Sequence, residues 1–63
     1  MNVPDIGTRI RSLRTAREYT VTINTPNSEG KFKAEMPNSH WYGYFRPEHE
    51  GWTWERVIEE VQA

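Results

Sequence analysis

A chain of 63 residues with net charge −1 and no cysteine has room for only a small core, and no disulfide or thiolate metal site to reinforce it. The neutral balance excludes a protein that coats nucleic acid by bulk charge, and no apolar run reaches membrane-spanning length. No apolar signal-peptide core follows Met1, so with the absent cysteines a cytoplasmic location is expected.

Three Trp, three Tyr and two Phe are the natural source of stability, because each aromatic buries a large area. Charge is unevenly spread. Arg9, Arg11, Arg14 and Arg17 stand against Asp5 at one end, and Glu48, Glu50, Glu55, Glu59 and Glu60 against Arg56 at the other. The simplest use of that asymmetry is attraction between the ends within one small domain spanning 1–63.

In chain order, Asp5 is placed as an N-cap, and Ile6, Ile10 and Leu13 follow at i, i+4 and i+7 with arginines between them. That spacing predicts an amphipathic helix over about 5–16. A strand would put Ile10 and Leu13 on opposite faces. The stretch Ile6-Gly7-Thr8-Arg9-Ile10-Arg11-Ser12-Leu13-Arg14, with Arg17 and Thr20 beyond, resembles the first helix of the Cro/CI-type helix-turn-helix repressors, over about a quarter of the chain. The resemblance implies a second helix and then a recognition helix for the major groove. Val21-Thr22-Ile23-Asn24-Thr25-Pro26 follows instead, β-branched and then broken by proline, so the DNA-reading part has no counterpart.

From Tyr19 the period becomes two. Tyr19, Val21 and Ile23 alternate with polar residues and predict a strand over about 18–24. Thr25 to Gly30 is a dense turn signal. Phe32, Ala34 and Met36 alternate with Lys31, Lys33 and Glu35 in a second strand over about 31–36. Pro37-Asn38-Ser39 turns the chain into an aromatic strand over about 40–46. There, pleat parity puts Trp41, Gly43 and Phe45 on the core face, and His40, Tyr42, Tyr44 and Arg46 on the other. Short loops between consecutive strands predict an antiparallel meander. After Pro47 to Gly51, Thr53 reads as an N-cap, and Trp54, Val57, Ile58 and Val61 form an apolar stripe opposite Glu55, Arg56, Glu59 and Glu60. A second helix over about 53–62 is predicted. The expected fold is therefore α+β, a two-layer α-β-β-β-α domain with both helices on one face of a three-stranded antiparallel sheet. The main alternative has a first strand in place of the first helix.

Catalysis is not expected. Glu48-His49-Glu50 concentrates ligand types, but adjacent residues lack the one-face spacing a metal site uses, and a solvated turn explains them. Ser39-His40 has no flanking nucleophile-elbow glycines and no obvious orienting carboxylate. No Gly-rich phosphate loop precedes a helix. No cofactor or metal is expected. What remains is binding, with His40, Tyr42, Tyr44, Arg46, Lys31 and Lys33 as candidate contact residues, since Tyr and Arg most often anchor interfaces. The preferred reading is a small non-enzymatic protein-interaction module, a monomer or homodimer, of the kind a phage or mobile element uses as a regulator or inhibitor of a host protein. The alternative is single-stranded nucleic acid on the same sheet face, with tyrosines stacking bases and Lys31, Lys33 and Arg46 meeting phosphates.

Overall fold

The computed structural model describes residues 3–58. Five strands occupy them: β1 (Arg9–Ser12), β2 (Glu18–Ile23), β3 (Phe32–Glu35), β4 (Tyr42–Phe45) and β5 (Trp54–Arg56), with one 3₁₀ turn at Pro47–His49. All lie in one sheet of order β4-β3-β2-β1-β5, in which every neighbouring pair is antiparallel. The first four strands form a meander. The chain then crosses from β4 to the opposite edge through the 3₁₀ turn, and β5 pairs with β1. The sheet curls into a half-barrel.

No α-helix occurs among the described residues, which overturns the expected two-layer α+β arrangement. The segment predicted as the first helix contains β1 and its turns. Gly7 and Ala16, at φ +94° and +62°, break it at both ends with left-handed backbone, a conformation no α-helix contains. Between them the backbone is committed to β2: Val21 N–H donates to Thr8 O, Gly7 N–H to Val21 O, and Ser12 N–H to Arg17 O. Of the expected Ile6, Ile10 and Leu13 stripe, only Ile10 is buried, while Ile6 and Leu13 are 63% and 43% exposed. The alternative with a first strand comes nearer, but it kept a helix at the far end.

That far end is also a strand as far as it is described. Trp54 to Arg56 pair with β1, and the ladder is bracketed by Leu13 N–H to Thr53 O and Val57 N–H to Arg9 O. The aromatic and β-branched residues from Trp52 to Ile58 suit extended backbone. Thr53, read as an N-cap, instead closes a turn: its N–H and Oγ1 both donate to His49 O. Ile58, expected on the buried stripe, is 85% exposed. The predicted helix from residue 59 onward lies outside the described residues.

The three middle strands fall within the predicted spans. Asn27 holds the turn before β3, its Oδ1 accepting from the N–H groups of Glu29 and Lys31, and Gly30 supplies the left-handed position at φ +77°. The register slips between Val21 and Ile23, and such a bulge sharpens the bend of a strand.

The core lies on the concave side. Ile10, Val21, Phe32, Ala34 and Trp54 are fully buried, with Val3, Tyr19 and Phe45 packed against them. Phe32 sits between Trp54 and Phe45, with ring centroids 5.3 and 5.9 Å away. Trp54 also donates its Nε1–H to Arg46 O at 2.8 Å. This bond joins β5 to the end of β4, so one side chain links the two edges of the sheet and holds its curl.

Candidate functional site

The pleat of β4 turns Tyr42 and Tyr44 outward and Gly43 and Phe45 inward, as the register with β3 requires. Both tyrosines are exposed. Their rings meet edge to face at 5.8 Å, and Lys33 Nζ stands 4.6 Å above the Tyr42 ring, a cation–π distance. His40 and Trp41 lie in the preceding turn. Trp41 is 68% exposed although parity assigned it to the core: the strand begins only at Tyr42, so the alternation does not reach it. Its carbonyl accepts from Met36 N–H and its own N–H donates to Ser39 Oγ, which holds the turn. His40, Trp41 and Tyr42 together line a shallow, mainly apolar recess.

β4 is also an edge. It pairs with β3 on one side and with no strand of the described residues on the other. The opposite edge, β5, is partly covered, since Gly51 N–H donates to Trp54 O at 2.7 Å and Glu50 lies beside Trp54. The open edge and the exposed aromatics therefore coincide.

The rest of the convex face is a charge-compensated lattice. Arg9 meets Glu18 at 2.6 Å, Arg11 meets Glu55 at 2.8 Å and Glu18 at 3.5 Å, and Lys33 meets Glu35 at 3.9 Å. The Arg9 hydrogen bond, against some desolvation, holds the Glu18 carboxyl below the usual carboxylate range. The Glu55 hydrogen bond raises the Arg11 pKa further. Arg9 and Arg11 face carboxylates on neighbouring strands, and Lys33 faces one on its own strand.

Of the six residues singled out by sequence, Lys33, His40, Tyr42 and Tyr44 gather around β4. Lys31 and Arg46 do not join them. Lys31 precedes β3 and lies 3.9 Å from Glu29, while Arg46 follows β4, lies 3.7 Å from Glu48 and reaches over Gly30. Both contribute to a different feature, an open cleft of about 460 Å³ on the concave side. Its floor includes Tyr19, Gly43 and Phe45, and its rim includes Arg14, Lys31, Arg46 and His49. Ser12, Thr15 and Thr53 add hydroxyls, and no carboxylate of the described residues lines it. Parity had marked Tyr19, Gly43 and Phe45 as inward. With both helices expected above that face, nothing suggested that part of it stays open.

Glu48, His49 and Glu50 diverge. Glu48 faces Arg46, Glu50 accepts from Arg56 at 2.8 Å, and His49 packs at a tilt against Trp52 with centroids 4.6 Å apart. Among the described residues no three His, Asp or Glu side chains are grouped to hold a metal ion, and no helix is long and apolar enough to cross a membrane. No known protein family matches the chain, and neither a curated protein nor a solved structure matches it.

Proposed function

We propose that this chain is a small non-enzymatic interaction module that holds a segment of a partner protein against the edge of β4. The observation that carries the reading is the coincidence of a strand edge left unpaired among the described residues with exposed Trp41, Tyr42 and Tyr44. An extended partner segment can add to such an edge, with main-chain hydrogen bonds supplying affinity and side-chain contacts supplying selectivity. Edges that must stay free are usually blunted by lysine, proline or a bulge. The Tyr-Gly-Tyr-Phe of β4 carries none of these within the strand. Tyrosine and tryptophan also hold a large contact area at low entropy cost, which makes them frequent anchors.

A role as a regulator or inhibitor of a host protein, of the phage or mobile-element kind, goes with this reading on the strength of chain size. A cytoplasmic setting goes with it because cysteine is absent. Nucleic acid on the convex face is less favoured, since Arg9 and Arg11 each hold a carboxylate there at 2.6 and 2.8 Å.

The test compares the immobilised wild type with the Tyr42→Ser/Tyr44→Ser variant against nuclease-treated lysate, after circular dichroism has shown that both fold. A specific partner should be held by the wild type and released by the variant, with affinity about thirtyfold weaker. Equal retention by a folded variant would remove the β4 surface from consideration.

A further inference from the structure

We propose that the concave cleft is a binding site for single-stranded nucleic acid, with a base laid against Tyr19 and Phe45 and phosphates at Arg14, Lys31 and Arg46. The cleft lies on the other face of the sheet from Tyr42, although Tyr44 also lines it, and the proposal does not depend on the protein-binding reading.

The floor is aromatic and only half covered. Tyr19 and Phe45 meet edge to face at 5.3 Å, and both remain partly exposed. Gly43 lets these rings lie directly on the strand: a Cβ there would stand 3.1 Å from the Phe45 ring and 3.7 Å from Tyr19. A strand glycine commonly marks such a close approach. Flat apolar rings accept any base, because every base has a π-face.

The rim is cationic in a chain that is not. Overall charge is −1, yet Arg14, Lys31 and Arg46 line this cleft and no carboxylate among the described residues does. A concave, low-dielectric wall of one sign focuses its field and attracts anions. The nearest counter-charges are Glu29, 3.9 Å from Lys31, and Glu48, 3.7 Å from Arg46, both at long ion-pair distance. No ion pair to Arg14 occurs among the described residues. The three cations come from three places in the chain: the turn after β1, the residue before β3 and the residue after β4. Three cations are more than the single phosphate of a free nucleotide needs and match successive phosphates of a strand. A duplex would hide the base faces that the floor needs.

The experiment is fluorescence anisotropy with labelled oligothymidine and oligouridine of about ten nucleotides, within the usual site size of small sheet folds, across a salt series. Competitors are a hairpin duplex, thymidine monophosphate and polyglutamate. Three phosphate contacts predict a slope of log K against log salt of roughly −2, falling to about −0.7 in Arg14→Gln/Lys31→Gln. Lys33→Gln on the convex face should leave the slope unchanged. NMR shifts induced by the oligonucleotide should centre on Ser12, Tyr19, Gly43 and Phe45. The proposal is overturned if no oligonucleotide binds at low salt, if the double variant binds with the wild-type slope, or if the shifts fall on the convex face. It is equally overturned if the duplex or polyglutamate competes as well as the single strand. Competition by the monophosphate at equal concentration would make the cleft a nucleotide pocket and refute the strand-binding assignment.

Discussion

Trp54→Ala removes the side chain that joins the two edges of the half-barrel. The indole is fully buried, packs edge-on against Phe32 at 5.3 Å and donates to Arg46 O at 2.8 Å. Truncating a buried tryptophan costs about 3–5 kcal/mol. The Arg46 carbonyl would lose one donor but keeps the His49 N–H at 3.0 Å, so the lost hydrogen bond adds about 1 kcal/mol. Against this, a 63-residue chain has roughly 3–9 kcal/mol of total stability. The alanine variant is therefore expected to be largely unfolded. Trp54→Phe keeps the contact with Phe32 and gives up the hydrogen bond and part of the volume, for about 2 kcal/mol. Trp41→Ala, at a position 68% exposed, should change stability by no more than about 0.5 kcal/mol. Urea unfolding followed by far-ultraviolet circular dichroism reads all three. With a slope of about 1 kcal/mol/M for a chain this short, Trp54→Phe should move the midpoint down by about 2 M, and Trp41→Ala by less than about half of one. A Trp54→Ala protein unfolding at the wild-type midpoint, or Trp41→Ala falling as far as Trp54→Phe, would refute the placement of the core.

Other perturbations follow from the same geometry. Gly43→Ala forces a methyl against the Phe45 ring, which Tyr19 and Phe32 hold in place. It should cost about 1–3 kcal/mol, and a wild-type melting curve with an unshifted Phe45 ring in NMR would count against that packing. The Glu18 carboxyl is depressed in the fold by Arg9, so its contribution is present above the unfolded-state pKa and is lost as pH falls through the lower folded value. Glu18→Gln should accordingly flatten the acid-side decline of the urea midpoint while changing little else. An acid dependence identical to wild type would deny Glu18 that role. Arg11→Gln breaks a cross-strand pair between β1 and β5 that is partly exposed, and surface pairs of this kind contribute little. Its effect should shrink further in high salt. A large, salt-independent loss of stability would mean the β1–β5 junction depends on that pair.

The middle of the chain was legible because its cues are local. Tyr19 and Val21, and Phe32 and Ala34, show period two. Asn27 and Gly30 carry the turn chemistry that joins them, and Asn38, in left-handed backbone at φ 59°, marks the next turn. Tyr42 and Tyr44 stand on the exposed face as alternation required. The ends were not legible for a matching reason. β1 has four residues, and its two inward positions are Ile10 and the buried Ser12. One apolar residue has no period, so the chance spacing of Ile6, Ile10 and Leu13 looked helical. Trp54 and Val57 with Ile58 likewise fit a helical stripe over too short a span to exclude a strand.

By itself, then, the sequence determined three strands, their turns, their antiparallel order and most of the residues that turn inward, because each depends on residues one to four apart. Trp41 and, past the bulge, Ile23 are the exceptions, at 68% and 48% exposed. Only the tertiary structure decided that both ends are extended. β1 becomes a strand by pairing with β2 and β5, and β5 by pairing with β1, Arg11 meeting Glu55 across 44 residues, and neither segment carries that information alone. The same pairing chose Trp54 over Trp41 and Trp52 as the buried tryptophan, since only Trp54 lies on the strand that closes the curl. It also left the concave face partly uncovered. Whether a face is core or cleft depends on what lies above it, and that is a property of the whole chain.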